Sequence, residues 1–393
     1  MTSATIRSIS AIGLVLLFGL ATAPAQESAK KSSPAFQGAE GFGATAVGGS
    51  GGKVIEVRNL NDKGPGSLRD AVEAKGPRIV AFKVAGTIAL DKPLQIAEPF
   101  LTIDGSSAPA GGIALKNHAV ELRDGVHDVI IRYLRVRPGL GGGGEPDGVL
   151  LAGGVRGPVR NVIIDHCSVT WAVDENMDTW GGVEDCTIQW CLLAEGSTTG
   201  HHKGNHSMGL LCGPRDKTQR LSIHPCLFAH NNQRNPRFQG GLYEFVNNVV
   251  YNWGAIAGGL SQSPSANFIG NFYKWGPSSK RTAFEIEMDG PAPLYLEGNV
   301  GPHRPDARTG EWAIARTKGK PADPSLRRDK PWPPAPIPIA AQKAGDALES
   351  VLDGAGATLP RRDAVDRRIV EEVRAGTGAL GIRGDYPDLN AER

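Results

Sequence analysis

The segment CTIQWCLL, residues 186–193, sets an apolar Ile188 three places before Cys191 in a short run of strand-forming residues. The same frame returns as VIIRYLRV from Val129, VIIDHCSV from Val162, LSIHPCLF from Leu221, YEFVNNVV from Tyr243, ANFIGNFY from Ala266 and LYLEGNVG from Leu294. Its recurring position is filled in turn by Leu134, Cys167, Cys191, Cys226, Asn248, Asn271 and Asn299, and the closest recurrences lie 22 to 24 residues apart. A short period carried by strands, with no helices between them, is the signature of a solenoid. The spacing predicts an all-β chain, a right-handed parallel β-helix, in which every coil adds one strand to each of several parallel sheets. Like residues then stack: the thiols pack as small hydrophobes, and the Asn side chains bond to the backbone or to one another at the bends. Inter-coil insertions collect on one side, where solenoids bind their ligands.

Composition agrees with this reading. The 393 residues include 52 Gly and 28 Pro, with 6% aromatics and a formal charge of +2. So balanced a charge lacks the basic excess of a nucleic-acid binder. Ahead of the repeats, Arg7 precedes the apolar run AIGLVLLFGLATA and the small-residue site Ala23-Pro24-Ala25. Residues 1–25 read as a signal peptide, too short for a comfortable membrane span, which predicts export to the periplasm or the exterior. Five cysteines at irregular spacing make no disulfide framework and no zinc motif.

Residues 26–301 are therefore assigned to a β-helical domain with an N-terminal cap, where Ser67 in GSLRDAVEA starts a short helix. Residues 302–393 hold a proline-rich connector, KPADPSLRRDKPWPPAPIP, expected to run extended over the surface. Two segments of helical periodicity follow, AAQKAGDALESVL and RDAVDRRIVEEVRAG, the second with Asp363 as N-cap and Gly376 as stop. Helical cover for an open solenoid end is their expected role, and a monomer is the expected state.

The candidate chemistry lies in the middle coils. Asp147 follows the flexible PGLGGGGEP, and TWAVDENMDTW supplies Asp174, Glu175 and Asp178. Acids on adjacent coils can gather around a hard cation such as Ca²⁺, although loop acids are common without one. Lys203 in HHKGNHSMG, with Arg234 and Arg237 in NNQRNPRFQGG, adds three cations from the next coils. The combination suggests an anionic substrate bridged by a metal. His166, beside the Cys ladder, reads as structural, and His201, His202 and His206 as surface or substrate contacts rather than a zinc site.

The stretches AFQGAEGFGATAVGGSGGKVIEVRNLNDKGPGSLRDAV, IIDHCSVTWAVDE, HNNQRNPRFQGG, NNVVYNWG and AGATLPRRDAVDRRIVEEVRAGTG, spread over residues 35–378, resemble the bacterial secreted pectate lyases of polysaccharide lyase family one. That resemblance implies a parallel β-helix that cleaves polygalacturonate, an acidic polysaccharide, by β-elimination with Ca²⁺ and an arginine base. It implies Arg234 as the base, in the Arg-x-Pro motif, Lys203 as a substrate-carboxylate contact, and Asp147, Asp174 and Asp178 as calcium ligands. One departure stands out: where the family pattern has a second arginine before its Gly pair, this chain has Gln239, which leaves Arg237 as the candidate second cationic contact. A lyase for another uronan or for pectin, an inverting hydrolase on the same fold and a non-catalytic glycan-binding solenoid are the competing readings.

Overall fold

The computed structural model describes residues 33–109, 111–213 and 219–389, together with Met1 and Thr2. The proposed signal peptide lies, apart from those first two residues, outside the described part. The described residues from Ser33 onwards form one compact unit.

The repeat read from the sequence is a parallel β-helix of three long sheets. The first runs over ten strands from Lys53–Val57 to Leu294–Glu297, the second over ten from Leu94–Ile96 to Lys320–Pro321, and the third over eight from Gly86–Ala89 to Phe272–Lys274. Every pairing is parallel except the last in the second sheet, Ala315–Thr317 with Lys320–Pro321. Register aligns like with like, as Ile131, Ile164, Ile188, Ile223, Phe245, Phe268 and Leu296 fall on one inward column of the first sheet.

The bend that follows this sheet holds the ladder. Asn248 Nδ2 donates to Asn271 Oδ1 at 3.1 Å and Asn271 Nδ2 to Asn299 Oδ1 at 2.8 Å. The Oδ1 atoms of Asn248, Asn271 and Asn299 also take the backbone N–H groups of Cys226, Asn248 and Asn271. All five cysteines are buried free thiols. On the outside of this bend Tyr133, His166 and Trp190 stack with φ of +56°, +50° and +51°. His166, with its Nδ1 2.9 Å from Asp165 Oδ1, is thus held as a structural histidine. Asn271→Ala would strand the buried N–H of Asn248, and should destabilise the fold by roughly 2–4 kcal/mol, read as a lower denaturant midpoint at unchanged slope.

Two of the three outer faces are covered. An N-terminal strap crosses the first sheet: the backbone N–H groups of Phe42, Gly43 and Gly49 donate to Ser222 Oγ, Thr187 Oγ1 and Thr102 Oγ1. The proline-rich connector continues along the same outward column, with Ala335 N–H on Glu244 and Trp332 N–H on Asn267. Strap and connector meet where Gly41 N–H donates to Ile337 C=O at 2.8 Å.

Helix α1, Leu68–Glu73, is capped by Ser67 and buries Leu68, Ala71 and Val72 against the first coils. Helices α2, Ala344–Gly354, and α3, Ala364–Ala375, do not cover an end of the solenoid as expected. Their Val351, Leu352, Ile369 and Val373 pack on Leu192, Leu227, Val249 and Tyr251 of the third sheet. Buried Arg137 on that sheet pairs with Asp363 at the α3 N-terminus and with Asp366. Amphipathic spacing shows that a helix has an apolar face, but not which surface it meets. Among the described residues, the second sheet is left as the open face.

Candidate active site on the open face

In each coil a loop joins the third-sheet strand to the second-sheet strand, and these loops carry the chemistry. Successive coils present residues 138–148 with Asp147, 171–174 with Asp174, 195–207 with Lys203 and 230–236 with Arg234. Beside them, the second sheet aligns Leu150, Asp178, Leu211 and Arg237 in one outward column. Met177, next to Asp178, points into the core.

Asp147, Glu175 and Asp178 converge, with one oxygen from each within 4.8 Å of the others. Asp147 Oδ1 accepts the Glu175 N–H at 3.1 Å, whereas Asp178 Oδ1 is buried without a hydrogen-bond partner. Burial, reinforced by the charges of Asp174 and Glu121, pushes the Asp147 carboxyl up to about 8. Burial and the charges of Asp147 and Asp174 raise Asp178 well above the carboxylate range. Crowded, partly orphaned oxygens of this kind fit a hard divalent cation, which takes six to eight oxygen ligands. The inverting-hydrolase reading needs carboxyls roughly 6.5–9.5 Å apart with a water between them, a wider gap than this cluster leaves.

Asp174 is placed differently. Its Oδ1 receives His206 Nε2 at 2.6 Å, with His201 Nε2 at 3.7 Å. Burial works to raise its carboxyl, but the His206 hydrogen bond and charge hold it below the usual range. Asp174 lies in a bend before the strand Glu175–Trp180, so the alternation that would group it with Asp178 does not reach it. Glu175, assigned no ligand role from the sequence, takes the place in the acid trio. The signal available was its position at the strand's first residue, where the sheet margin opens on the loop.

Arg234 has φ +59°, and its Nη1 contacts Glu175 Oε1. A buried amide chain fixes the loop: Asn176 Nδ2 donates to Asn231 Oδ1, and Asn231 Nδ2 to Asn235 Oδ1, both at 3.0 Å. Left-handed backbone on a non-glycine residue persists only when its surroundings over-determine it. Burial lowers the guanidinium's proton affinity and the charge of Arg237 acts in the same direction, while Asp174 and Asp147 oppose them. Gly240 and Gly241, at φ +64° and +77°, turn the chain after the strand Arg237–Gln239.

Arg237 is paired, its Nη2 2.9 Å from Asp289 Oδ2 and 3.3 Å from Ser261 Oγ. An ion pair so exposed contributes about 0–1 kcal/mol and can be exchanged for a ligand carboxylate. The Lys203 side chain is exposed on its loop, where its backbone N–H donates to His201 Nδ1 at 3.0 Å. The structure thus brings Asp147, Asp178 and Arg234 together, sets Arg237 two rungs along the same face, and leaves Lys203 on the rim.

No family model matches the chain. It is 36% identical over 359 residues to a probable pectate lyase C of Aspergillus flavus, covering 90% of this chain and 80% of that protein. It is 31% identical over 255 residues to probable pectate lyase 5 of Arabidopsis thaliana, covering 59% of each. Among solved structures, a pectate lyase bound to a hexasaccharide matches with a TM-score of 0.61 at 15% identity, covering 84% of this chain and 99% of that one. At that identity the likeness speaks for the fold alone. The relatives are fungal and plant proteins, so the resemblance to bacterial lyases holds for the family and not for its bacterial branch.

Proposed function

The chain belongs to the pectate lyase family and is a polysaccharide lyase, and from that premise we propose that it is a secreted, calcium-dependent enzyme that cleaves polygalacturonate by β-elimination with Arg234 as base. The observation that carries the proposal is the carboxylate trio of Asp147, Glu175 and Asp178 beside a half-buried arginine on the uncovered face. Elimination removes the C5 proton, next to the uronate carboxylate, and expels the C4 glycosidic oxygen. A bound Ca²⁺, held by Asp147, Glu175 and Asp178 with Asp174 alongside, would supply Lewis-acid neutralisation of that carboxylate.

The chain's own residues do the rest. Arg234, half-buried in its loop, accepts the proton in its neutral form, which burial already favours. Glu175 belongs both to the acid trio and to the contact with Arg234, so neutralising the trio reduces the negative charge facing the base and favours deprotonation. Arg237 and Lys203 orient neighbouring uronate carboxylates on the open face. Incubation with polygalacturonate tests the reading: the unsaturated product absorbs in the ultraviolet. Reducing ends that appear without that absorbance would make the protein a hydrolase, and intact polymer would make it a binding protein.

Protons and calcium should compete for the trio. Because the folded Asp147 carboxyl is raised to about 8, the ion-free fold holds a proton there that the unfolded chain releases above the ordinary carboxylate range. Asp147's contribution to the stability of the ion-free protein therefore falls as pH rises towards 8. Calcium binding expels that proton, so its affinity should rise over the same window. Calorimetry between about pH 5 and pH 8 should show Kd falling with pH and heats that depend on the buffer's ionisation enthalpy. A pH-independent Kd would place the ion elsewhere.

A further inference from the structure

The loops that carry the site continue towards the C-terminal end of the solenoid. Two and three coils beyond the Arg234 loop, the equivalent connections are residues 275–285 and 301–314. They and the strand Ala315–Thr317 wall a cleft of about 490 Å³, within the size range of small-ligand sites. Its lining joins Phe284, His303 and Trp312 with Arg316, Arg327 and Glu311, whose Oε1 is taken up by Arg304 at 2.6 Å.

This cleft is assembled from held parts. Buried Glu285 clamps His303, taking its backbone N–H at 2.9 Å and its ring Nδ1 at 2.8 Å. His303 stacks on Phe284 at 3.7 Å, and the Arg316 guanidinium lies 4.0 Å from the Phe284 ring. Arg327 lies 5.3 Å from the Trp312 ring. Among the described residues no carboxylate lies within ion-pair range of Arg316 or Arg327. Register connects the cleft to the site: the outward column that holds Asp178 and Arg237 runs on through Gly259 and Glu287 to Arg316. At about 4.8 Å per coil, the Phe284 and Trp312 loops lie roughly 10 and 15 Å along the axis from the Arg234 loop. A long uronate chain bound at the Arg234 loop spans that distance.

We propose that this cleft is a distal subsite that binds a uronate residue of the polymer remote from the scissile bond. Arg316 and Arg327 face the carboxylate, Phe284, sandwiched between His303 and Arg316, holds that guanidinium in place, and Trp312 presents flat apolar surface to the sugar ring. Aromatic faces suit the C–H side of a pyranose, and a guanidinium fork suits a carboxylate. The subsite rests on the polyuronate reading. It adds that productive binding of long chains uses contacts which short substrates cannot reach.

The test compares Arg316→Gln and Arg327→Gln, each of which leaves the core intact, on polygalacturonate and on trigalacturonate. For the polymer, KM should rise roughly two- to fivefold at unchanged kcat, the loss of one partly exposed charged contact and of uniform binding. Kinetics on trigalacturonate should not change. Equal effects on both substrates, or none on either, would overturn the subsite. Calorimetry of hexagalacturonate with Arg234→Ala, with and without Arg316→Gln, separates the two readings. Weaker binding in the double variant supports the subsite even if the wild type forms no unsaturated product, and equal affinity rejects it even if the lyase reading stands.

Discussion

Replacing Arg234 by lysine should lower kcat on polygalacturonate by roughly three orders of magnitude, within the 10²- to 10⁴-fold that a positioned proton acceptor contributes. The reason lies in the loop's construction. The amide chain from Asn176 through Asn231 to Asn235, with left-handed backbone at Arg234, aims one planar group at one place. A lysine ammonium is shorter and lacks the fork, and beside Glu175 it would settle as a simple ion pair. KM and calcium affinity should change little, because the acids and Arg237 remain. Turnover against substrate concentration, with near-ultraviolet circular dichroism to show an intact fold, checks the result. Near-normal turnover in Arg234→Lys would move the base to another group, with the acid cluster as the next place to look.

Chelation of calcium should reduce product formation by at least about a thousandfold, since stabilising the charge that develops on the carbanion commonly contributes more to such catalysis than any other effect. The same treatment should leave the β-helix folded. Asp178 points outward from a strand whose neighbouring Met177 is in the core, and the Asn and Cys ladders lie at a different bend. Removing a ligand present at about 100 times its Kd costs the fold only about 2.7 kcal/mol. Adding calcium back should restore turnover. Full activity in chelator would mean that Asp147, Glu175 and Asp178 hold no ion needed for the reaction, and unfolding in chelator would make the cluster a structural centre.

What the sequence disclosed depended on whether the signal was periodic. The inward column and the Asn ladder repeat with the coil, so seven segments announce the same geometry and errors at one are corrected by the others. Helix ends were legible for a similar reason: Ser67, Asp363 and Gly376 act on the backbone next to them. Docking of α2 and α3 was not legible, because the pairing of Asp363 and Asp366 with Arg137 spans more than 220 residues. The acid trio falls between these cases. Asp147 and Asp178 follow from coil stacking, but the place of Glu175 beside them, with Asp174 turned to His206, depends on where a strand begins, and that boundary is set by contacts rather than by composition. Arg237 shows the same limit, as its partner Asp289 stands two coils further on.

The strap over the first sheet bears on the order of assembly. Phe42 and Gly43 are made early, yet the hydroxyls that receive their N–H groups belong to Ser222 and Thr187, 180 and 144 residues later. The coils can close one upon another through neighbouring contacts, which is fast; the strap must await distant surface and carries the loop-closure entropy of a long chain. Segments near the beginning of the chain should therefore be among the last to find their places. Until then the hydroxyls of the first sheet's outer face stay wet, and a protease meets an unsheltered leading segment beside a solenoid already formed.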